Sequence, residues 1–551
     1  MPRQRGDASA DPGRNGAATR LALAAVGLVS ATALSQAAEP APSDWPCFGR
    51  DIHNTRNAAD EHVLDPTLVA DLKPQWTVTT DGNVSATPAV VGGVVYVPDF
   101  GGSLWAIDAA SGRVVWKNAI SDYTGIPGDT SRTTPAAWRG SLIMGEGTQG
   151  VSVLEGASLF AVDSRSGRLL WSTKVESDPV AIVTSASVVD DGVVYVGTSS
   201  KAEAINKPTT FRGSVVALSA DDGKILWQTY LTGEGYTGAA AWGSTPVVDH
   251  DTGLLYVATG NNYSVPAGVC RAPGEANCEP SSPDNHVDSI VALDLKTGRI
   301  AWATSTLPAD VSTNFDHVDG PDYDFAQGPM LLTTKIDGRP TPLLGVGQKS
   351  GVFWALDPAT GNVVWKTEVG PGSRLGGMMW GPATDGRRIY VSIGNAAHTL
   401  VTIPSPDGKP QTITGGFWAA LAPATGNILW RTRSAGSGRC RRADRRRRRR
   451  GLRRLPGPAR GQYVRAGRCD RRCQMGVCER RVSGLRPRRR QRRRLLGLGL
   501  QDRRHQRRQQ QALRLRTGGG MTPTPPRAWP RRAYSPSASR PSCGRRRRGR
   551  A

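Results

Sequence analysis

Short runs of alternating hydrophobic and polar residues fill most of this chain, and one such run returns six times. Each copy begins with alanine and an apolar residue and carries a glycine four residues before a tryptophan. An aspartate follows the apolar residue in four copies, and it is replaced by Ser219 and Ala422 in the other two. The copies are AIDAASGRVVW, AVDSRSGRLLW, ALSADDGKILW, ALDLKTGRIAW, ALDPATGNVVW and ALAPATGNILW, ending at Trp116, Trp171, Trp227, Trp302, Trp365 and Trp430.

The pattern within each copy predicts a small antiparallel sheet. A strand of the VVYV type and a strand of the LWAID type are followed by a tight turn that needs glycine at positive φ, and then by a strand that carries the tryptophan. Because one such sheet cannot bury both of its faces, copies that recur every 55 to 75 residues must stack radially, with the indole filling the gap between neighbours. The sequence therefore predicts an all-β fold, a β-propeller of four-stranded blades over residues 44–434.

The positive charge of the chain is concentrated in its last part. The formal net charge is +25, but 40 of the 71 basic residues lie from Arg439 onward, which leaves 31 basic against 42 acidic residues before that point. Two interpretations of residues 435–551 are open: a disordered polyarginine segment that binds nucleic acid, or translation of GC-rich DNA in the wrong reading frame.

The genetic code favours the second interpretation. Codons shifted by one base between Tyr463 and Gly476 permit the peptide MYALDAATGAVKW, because Met475 followed by Gly476 forces a tryptophan codon. That peptide is a seventh copy of the repeat. We therefore expect a frameshift between Trp430 and Ala443 that removes the last blades, and no nucleic-acid partner.

Residues 1–37 have the composition of a signal peptide. Basic residues extend to Arg20, an apolar run covers Leu21 to Leu34, and small residues follow. This predicts export to the periplasm without stable membrane insertion, with an uncleaved anchor as the alternative. In an oxidising compartment Cys270 and Cys278 either close a short loop or remain two free thiols.

Four polar segments interrupt the repeats, and variable connections on a rigid scaffold are where sites are built. They are Ser199 to Glu203, Gly260 to Tyr263, Asp319 to Asp324 and Gln348 to Ser350. Carboxylates with an amide oxygen suit a hard cation such as Ca²⁺ or a lanthanide, and Lys349 would be a fixed cation beside it. Taken singly, each segment also fits ordinary turn chemistry.

The repeat, these segments and the opening DWPCFGRD with Asn54-Thr55-Arg56 resemble the pyrroloquinoline quinone (PQQ)-dependent alcohol dehydrogenases, in particular their polyvinyl-alcohol-dehydrogenase-like branch. The resemblance covers about residues 44–430 and implies an eight-bladed propeller with the quinone on its axis. It implies a metal site of Glu203, Asn261, Asp322 and Asp324. Asp322 would be the general base, and Lys349 would lie beside the reactive carbonyls of the quinone.

The same resemblance implies further contacts to the quinone. Trp242 would form the floor beneath its ring, Arg132 would reach its carboxylates, and Ser185 and Ser200 would be polar contacts. The pair of adjacent cysteines that often covers the other face of the quinone is missing from this sequence.

The implied activity is oxidation of a small or polymeric alcohol. Asp322 would take the hydroxyl proton while hydride passes to metal-activated PQQ, and a periplasmic cytochrome c would reoxidise the cofactor, since no Cys-x-x-Cys-His motif is present. Two alternatives are a non-catalytic propeller that serves as a scaffold for outer-membrane protein assembly, and an inactive frameshifted pseudoenzyme.

Overall fold

The computed structural model describes residues 44–64, 67–147, 154–205, 209–312, 320–404 and 408–434, all within one compact unit of the chain. The predicted signal peptide (1–37) and the arginine-rich segment (435–551) lie outside the described residues. The helices are two single turns, α1 (Ser121–Thr124) and α2 (Ala202–Ile205), and one 3₁₀ turn, Val69–Asp71. In the described ranges no helix is long and apolar enough to span a membrane.

In chain order the strands are β1 (Ala89–Val91), β2 (Val94–Pro98), β3 (Ser103–Asp108), β4 (Val114–Ala119), β5 (Ala136–Trp138), β6 (Ser141–Gly145), β7 (Ala157–Asp163), β8 (Leu169–Glu176), β9 (Ala181–Ile182), β10 (Val188–Asp190), β11 (Val193–Gly197), β12 (Ser199–Ser200), β13 (Ser214–Ser219), β14 (Ile225–Tyr230), β15 (Thr237–Gly238), β16 (Val247–Asp249), β17 (Leu254–Ala258), β18 (Asn262–Ser264), β19 (Ser289–Asp294), β20 (Ile300–Ser305), β21 (Met330–Ile336), β22 (Arg339–Gly347), β23 (Val352–Leu356), β24 (Val363–Glu368), β25 (Ala383–Thr384), β26 (Ile389–Ile393), β27 (Val401–Pro404), β28 (Pro410–Ile413), β29 (Phe417–Leu421) and β30 (Ile428–Arg433).

Six four-stranded antiparallel sheets form the blades, and this confirms the predicted all-β propeller architecture. They are β1 to β4, β5 to β8, β10-β11-β13-β14, β16-β17-β19-β20, β21 to β24 and β25-β26-β29-β30, each ordered as in the chain. Three two-stranded sheets, β9-β12, β15-β18 and β27-β28, decorate them. Apolar side chains fill the spaces between blades; one such cluster joins Met330 and Leu343 of the fifth blade to Ile389 and Phe417 of the sixth.

Each repeat tryptophan lies in the fourth strand of its blade, and the first five contact the following blade. Trp302 Nε1 donates to the carbonyl of Pro358 at 3.1 Å. Gly361, with φ +73°, lies so close to that indole that an added Cβ would be 2.5 Å from Cε3. The same pair of contacts is made by Trp76, Trp116, Trp171, Trp227 and Trp365. The repeat glycine therefore has two roles: it adopts the left-handed conformation of the turn, and the tryptophan of the preceding blade packs against it.

Every blade also contains an irregularity that the repeat did not predict. The pairing of the third and fourth strands slips by one residue between the alanine and the next apolar residue of the repeat, as at Ala106/Ile107 and Ala292/Leu293. Such a bulge increases the local twist of a strand pair. It precedes the glycine turn in all six blades.

Residues 45–56 form a strap across the blades. Its backbone bonds to the first strands of five blades, at Val90, Ala137, Val248, Leu331 and Thr384. The Asn54 side chain adds bonds to the carbonyls of Thr245 and Pro329 at 2.9 and 3.1 Å. The opening DWPCFGRD motif therefore belongs to a segment that ties the blades together.

Strand order fixes the two faces of the blades. Neighbouring strands are antiparallel, so successive connections alternate between the two ends of the strands. One face carries the connections from the second to the third strand and from the fourth strand to the next blade. The glycine turns and the connections from first to second strand lie on the other. The described residues of the four polar segments all belong to the first face.

Candidate active site

Four of the predicted site residues come together at that face. Asn261 follows β17 in the fourth blade and Lys349 follows β22 in the fifth, while Asp322 and Asp324 lie in the connection that leads into β21. All four are buried, with exposed fractions of 0% for Asn261 and Asp324, 2% for Asp322 and 6% for Lys349.

Lys349 lies between the two carboxylates. Its Nζ donates to Asp322 Oδ1 at 2.8 Å and to Asp324 Oδ2 at 2.5 Å. Burial alone would lower the pKa of Lys349, but Asp324 and Asp322 together outweigh it and hold that pKa above its ordinary value. The ammonium group is therefore a fixed positive charge at neutral pH.

Asn261 joins this centre through its backbone and keeps its carbonyl oxygen available. Its amide N–H donates to Asp324 Oδ1 at 2.8 Å, and its Nδ2 donates to the carbonyls of Asn262 and Ser312. Its Oδ1 is buried and receives no hydrogen bond from any described group. The bonds of Nδ2 identify Oδ1 as the free acceptor, which is the arrangement an amide needs to ligate a cation.

Trp242 lies beside the same carboxylate. A Cβ added at Gly260 would be 2.7 Å from Asp324 Oδ1 and 3.2 Å from Trp242 Cδ1, so only glycine allows this approach. The Trp242 indole N–H is buried and makes no hydrogen bond within the described ranges. Trp242 is therefore next to the charged cluster, and its role beneath the quinone stays a prediction.

Arg132 lies in the connection that leads into the second blade. Its guanidinium lies 5.3 Å from the ring centre of Trp380, and its buried Nε has no acceptor among the described residues. Burial lowers the pKa of Arg132 to about 10, so the group remains cationic at neutral pH. A guanidinium whose buried Nε has no acceptor, and which has no carboxylate partner among the described residues, is suited to bind an anionic ligand.

The remaining predicted residues are placed less directly. Ser185 Oγ donates to the Gly197 carbonyl at 2.9 Å, and Ser200 Oγ donates to the Tyr263 hydroxyl at 3.0 Å. Both hydroxyls thus bond within the protein, and their contact with a cofactor stays a prediction. Glu203 belongs to α2, but its side chain lies outside the described residues, so its role as a ligand also stays a prediction.

Two further buried carboxyl groups, Asp288 and Asp310, were not identified from the sequence. Burial raises the pKa of Asp288 well above its ordinary value, and Asp310, Asp324 and Asp322 add to that rise. Burial also raises the pKa of Asp310, against the opposing effect of backbone N–H groups. No described donor bonds to either carboxylate oxygen of Asp288. Asp288 has a φ of 42°, in the left-handed region, but no feature of the sequence marks either residue.

Arg374 is a second cation that the sequence did not identify. Its Nε lies 3.7 Å from Asp322 Oδ2, and its Nη2 donates to Ser312 Oγ at 2.9 Å. It lies in the glycine-rich connection before β25, where no repeat marks it. Asp322 thus faces a positive charge on each of its two oxygens.

The donor set fits a hard cation beside an anionic planar cofactor. Asp288 and Asp310 lie close to Asp322 and Asp324; Lys349 pairs with the latter two, Arg374 pairs with Asp322, and the free Asn261 Oδ1 adds a neutral oxygen. Among the described residues, however, no three acidic, histidine or cysteine side chains are already arranged around a metal position. Lys349 bonds Asp322 and Asp324, the two carboxylates that the predicted metal site would also use.

Comparison with known proteins identifies the family of the chain. Residues 45–374 match the family described as "Glucose/ethanol/alcohol dehydrogenase, beta-propeller domain", designated PQQ. A polyvinylalcohol dehydrogenase from Sphingopyxis sp. (strain 113P3) is 30% identical over 415 residues, which is 69% of this chain and 57% of that protein. The chain thus spans little more than half the length of that relative.

Two solved structures share the fold. The quinohemoprotein alcohol dehydrogenase ADHIIG of Pseudomonas putida HK5 superposes with a TM-score of 0.52 at 20% identity, covering 72% of this chain and 73% of that one. A europium-containing methanol dehydrogenase superposes with a TM-score of 0.51 at 17% identity, covering 71% and 78%. At these identities the likeness concerns the fold alone.

Proposed function

The chain belongs to the PQQ β-propeller family of glucose, ethanol and alcohol dehydrogenases, and from that premise we propose that it oxidises alcohols with PQQ bound beside a hard cation. The observation that carries the proposal is the buried group of Asp322, Asp324 and Lys349 next to the free Asn261 Oδ1. The name of the Sphingopyxis relative suggests a substrate class, secondary alcohols or polymeric diols.

Asp322 is the residue suited to accept the alcohol proton. It is buried, and Lys349 and Arg374 surround it with positive charge, so its carboxylate can carry the negative charge that a base requires. Its Oδ1 accepts the Lys349 ammonium at 2.8 Å and its Oδ2 lies 3.7 Å from Arg374 Nε, so both oxygens are stabilised by positive charge.

The other residues would hold the cofactor and the metal. Asn261 Oδ1, Asp324 and Asp322, with Glu203, would ligate Ca²⁺ or a lanthanide, Trp242 would lie against the quinone ring, and Arg132 would meet its carboxylates. When bound, PQQ supplies the hydride acceptor and the cation polarises its carbonyl. Lys349 contributes a fixed positive charge where negative charge develops during reduction.

Reconstitution tests this proposal. The purified chain is incubated with PQQ and either Ca²⁺ or La³⁺, and oxidation of secondary alcohols and polyvinyl alcohol is followed with an artificial electron acceptor. We expect turnover only when PQQ and a cation are both present. Asp322→Asn should lower kcat by about 10² to 10⁴.

The matched control is Asp337→Asn, an exposed aspartate in the β21–β22 turn on the opposite face, which should retain full activity. A folded chain that binds neither PQQ nor a cation, and oxidises no alcohol, would contradict the proposal.

We further propose that the protein acts in the periplasm and passes electrons to a separate cytochrome c. The support is the sequence of residues 1–37 and the absence of a haem-attachment motif from the printed sequence. Cell fractionation with N-terminal sequencing of the exported product tests the location. Reduction of the host's cytochromes c by the reconstituted protein tests the acceptor.

We also propose that a one-base frameshift lies between Trp430 and Ala443. Trp430 supports this proposal, because it is 40% exposed and no described residue gives it the carbonyl and glycine that each of the preceding repeat tryptophans contacts. The shifted frame encodes another such glycine. Sequencing both DNA strands from the codon of Trp365 to the stop tests the idea, and an unchanged frame would refute it.

A further inference from the structure

The backbone at Asp322 adopts an unfavourable conformation that contacts with neighbouring residues must stabilise. Its φ is +59°, in the left-handed region that side chains other than glycine rarely adopt. Such a conformation persists only where the surroundings hold it. The position of the Asp322 carboxylate depends on this turn, so whatever holds the turn also places the base.

Asp310 supplies the bonds that hold it. Asp310 Oδ1 accepts the N–H of Asp322 at 3.1 Å, and Oδ2 accepts the N–H of Tyr323 at 2.8 Å. Asp310 is fully buried. A single carboxylate thus receives two successive amides of the turn, and charge-assisted bonds of this kind are roughly twice as strong as neutral ones.

The neighbouring residues are shaped around this carboxylate. A Cβ added at Gly320 would lie 2.0 Å from Asp310 Oδ1, so only glycine fits there. The Gly320 amide donates to the Val311 carbonyl at 3.0 Å, which ties the start of the turn to the segment that carries Asp310.

Asp310 also connects the turn to the segment that carries Asn261. The amide of Asn262 donates to the Asp310 carbonyl at 3.0 Å. Asn261, the preceding residue, bonds Asp324 through its own amide. One residue therefore contacts both the turn of Asp322 and the loop of the free amide oxygen.

We propose that Asp310 is a positioning residue that fixes Asp322 for proton transfer and aligns it with Asn261. The assignment of Asp322 as the base rests on the proposed function. The role of Asp310 in holding the turn does not. A test with one structural and one kinetic measurement separates the two.

The test compares Asp310→Ala and Asp310→Asn with the unmodified chain. The first measurement is residue-resolved hydrogen–deuterium exchange at the amides of Asp322 and Tyr323, made without cofactor. Asp310→Ala should speed exchange at both amides by about tenfold or more, since each loses a bond to a charged acceptor. Asp310→Asn retains a single carbonyl oxygen and should preserve protection at one of them.

The second measurement is turnover after reconstitution with PQQ and a cation. Asp310→Ala should lower kcat by about ten- to a hundredfold and change KM for the alcohol by less than about twofold, because the base is displaced while substrate binding is kept. Asp310→Asn should recover part of kcat. A residue with only a structural role would not produce this separation of kcat from KM or this partial rescue.

The matched control is Asp249→Ala. Asp249 is also a buried carboxylate that accepts a backbone amide, from Asp251 at 3.0 Å, but it is the last residue of β16, at the opposite face. This variant should leave kcat and exchange at Asp322 unchanged. If Asp310→Ala does not fold, Asp310→Asn carries the test alone.

Unchanged exchange at both amides in a folded Asp310 variant, or unchanged kcat in a variant whose turn has loosened, overturns the inference. Faster exchange together with an inactive unmodified chain would instead show that the turn is held as described and that the proposed function is wrong.

Discussion

Gly361→Ala tests the contact on which the blade packing depends. Gly361 precedes β24 in the fifth blade, has φ +73°, and lies against the indole of Trp302 from the fourth blade. An added Cβ would be 2.5 Å from Trp302 Cε3 and 2.7 Å from Cδ2. The indole cannot retreat freely, because its N–H is bonded to the carbonyl of Pro358, three residues before Gly361.

The expected cost has two parts. An alanine in the left-handed region costs about 1 to 2 kcal/mol. Overpacking against a fixed ring adds about 1 to 3 kcal/mol. Gly361→Ala should therefore lower the free energy of unfolding by about 2 to 5 kcal/mol.

Gly338→Ala separates the two parts. Gly338 lies in the β21–β22 turn of the same blade and has φ +79°, but nothing lies within 4 Å of its added Cβ. It should show the backbone cost alone, about 1 to 2 kcal/mol.

Urea unfolding of both variants, followed by far-ultraviolet circular dichroism and by tryptophan fluorescence, gives the comparison, and agreement of the two signals checks that unfolding is cooperative. Equal losses in the two variants would refute the idea that the indole is closely seated on the glycine.

Three further predictions concern charge and reactivity. Lys349→Met leaves Asp322 and Asp324 buried without their cation and should lower the free energy of unfolding by about 3 to 5 kcal/mol. Because the pKa of Lys349 is raised, the stabilisation by its charge is complete below the ordinary lysine pKa and is lost only as the pH rises beyond that value. The loss measured by urea unfolding should therefore be the same at pH 7 and pH 9, and Ca²⁺ should restore part of the lost stability. A pH-dependent loss in that range would contradict this assignment. Arg132→Ala should weaken PQQ binding about ten- to a hundredfold in a fluorescence titration, whereas unchanged affinity would remove Arg132 from the cofactor site. Burial raises the pKa of Cys47 to about 12, with Asp51 adding to the rise. Iodoacetamide at pH 8 should therefore label Cys47 only after unfolding. Rapid labelling of the native protein would show that the thiol is more exposed than described.

The local parts of the fold were readable from the sequence. The repeat placed the tryptophan strands and the glycine turns, and all six glycines have φ between 69° and 73°. The open question about Cys270 and Cys278 is resolved in favour of a disulfide. The strap of residues 45–56 was not predicted, because it depends on pairing with residues far away in the chain. The strand bulge was not predicted either, although its partners lie within one repeat.

The site was predictable where polar residues broke a repeat, as at Asn261, Asp322 and Lys349. Asp288 and Asp310 carried no such signal. Each looks like one more polar residue near a strand end, and only the packing of the fourth and fifth blades brings them beside Asp324. Arg374 and Trp380 were missed for the same reason. Burial and long-range contact, which give these residues their chemistry, leave no local trace in the sequence.

The direction of the tryptophan contacts gives the blades an order of completion during synthesis. Each repeat indole before Trp430 is covered by a blade made after its own, as Trp365 is covered by Pro423 and Gly426. During translation the indole of each new blade is therefore exposed until the next blade has been synthesised. At any stage of translation the newest complete blade exposes one tryptophan. A chain whose repeats were interrupted would expose the same apolar edge wherever the interruption fell, and chaperones could recognise all such chains by that edge.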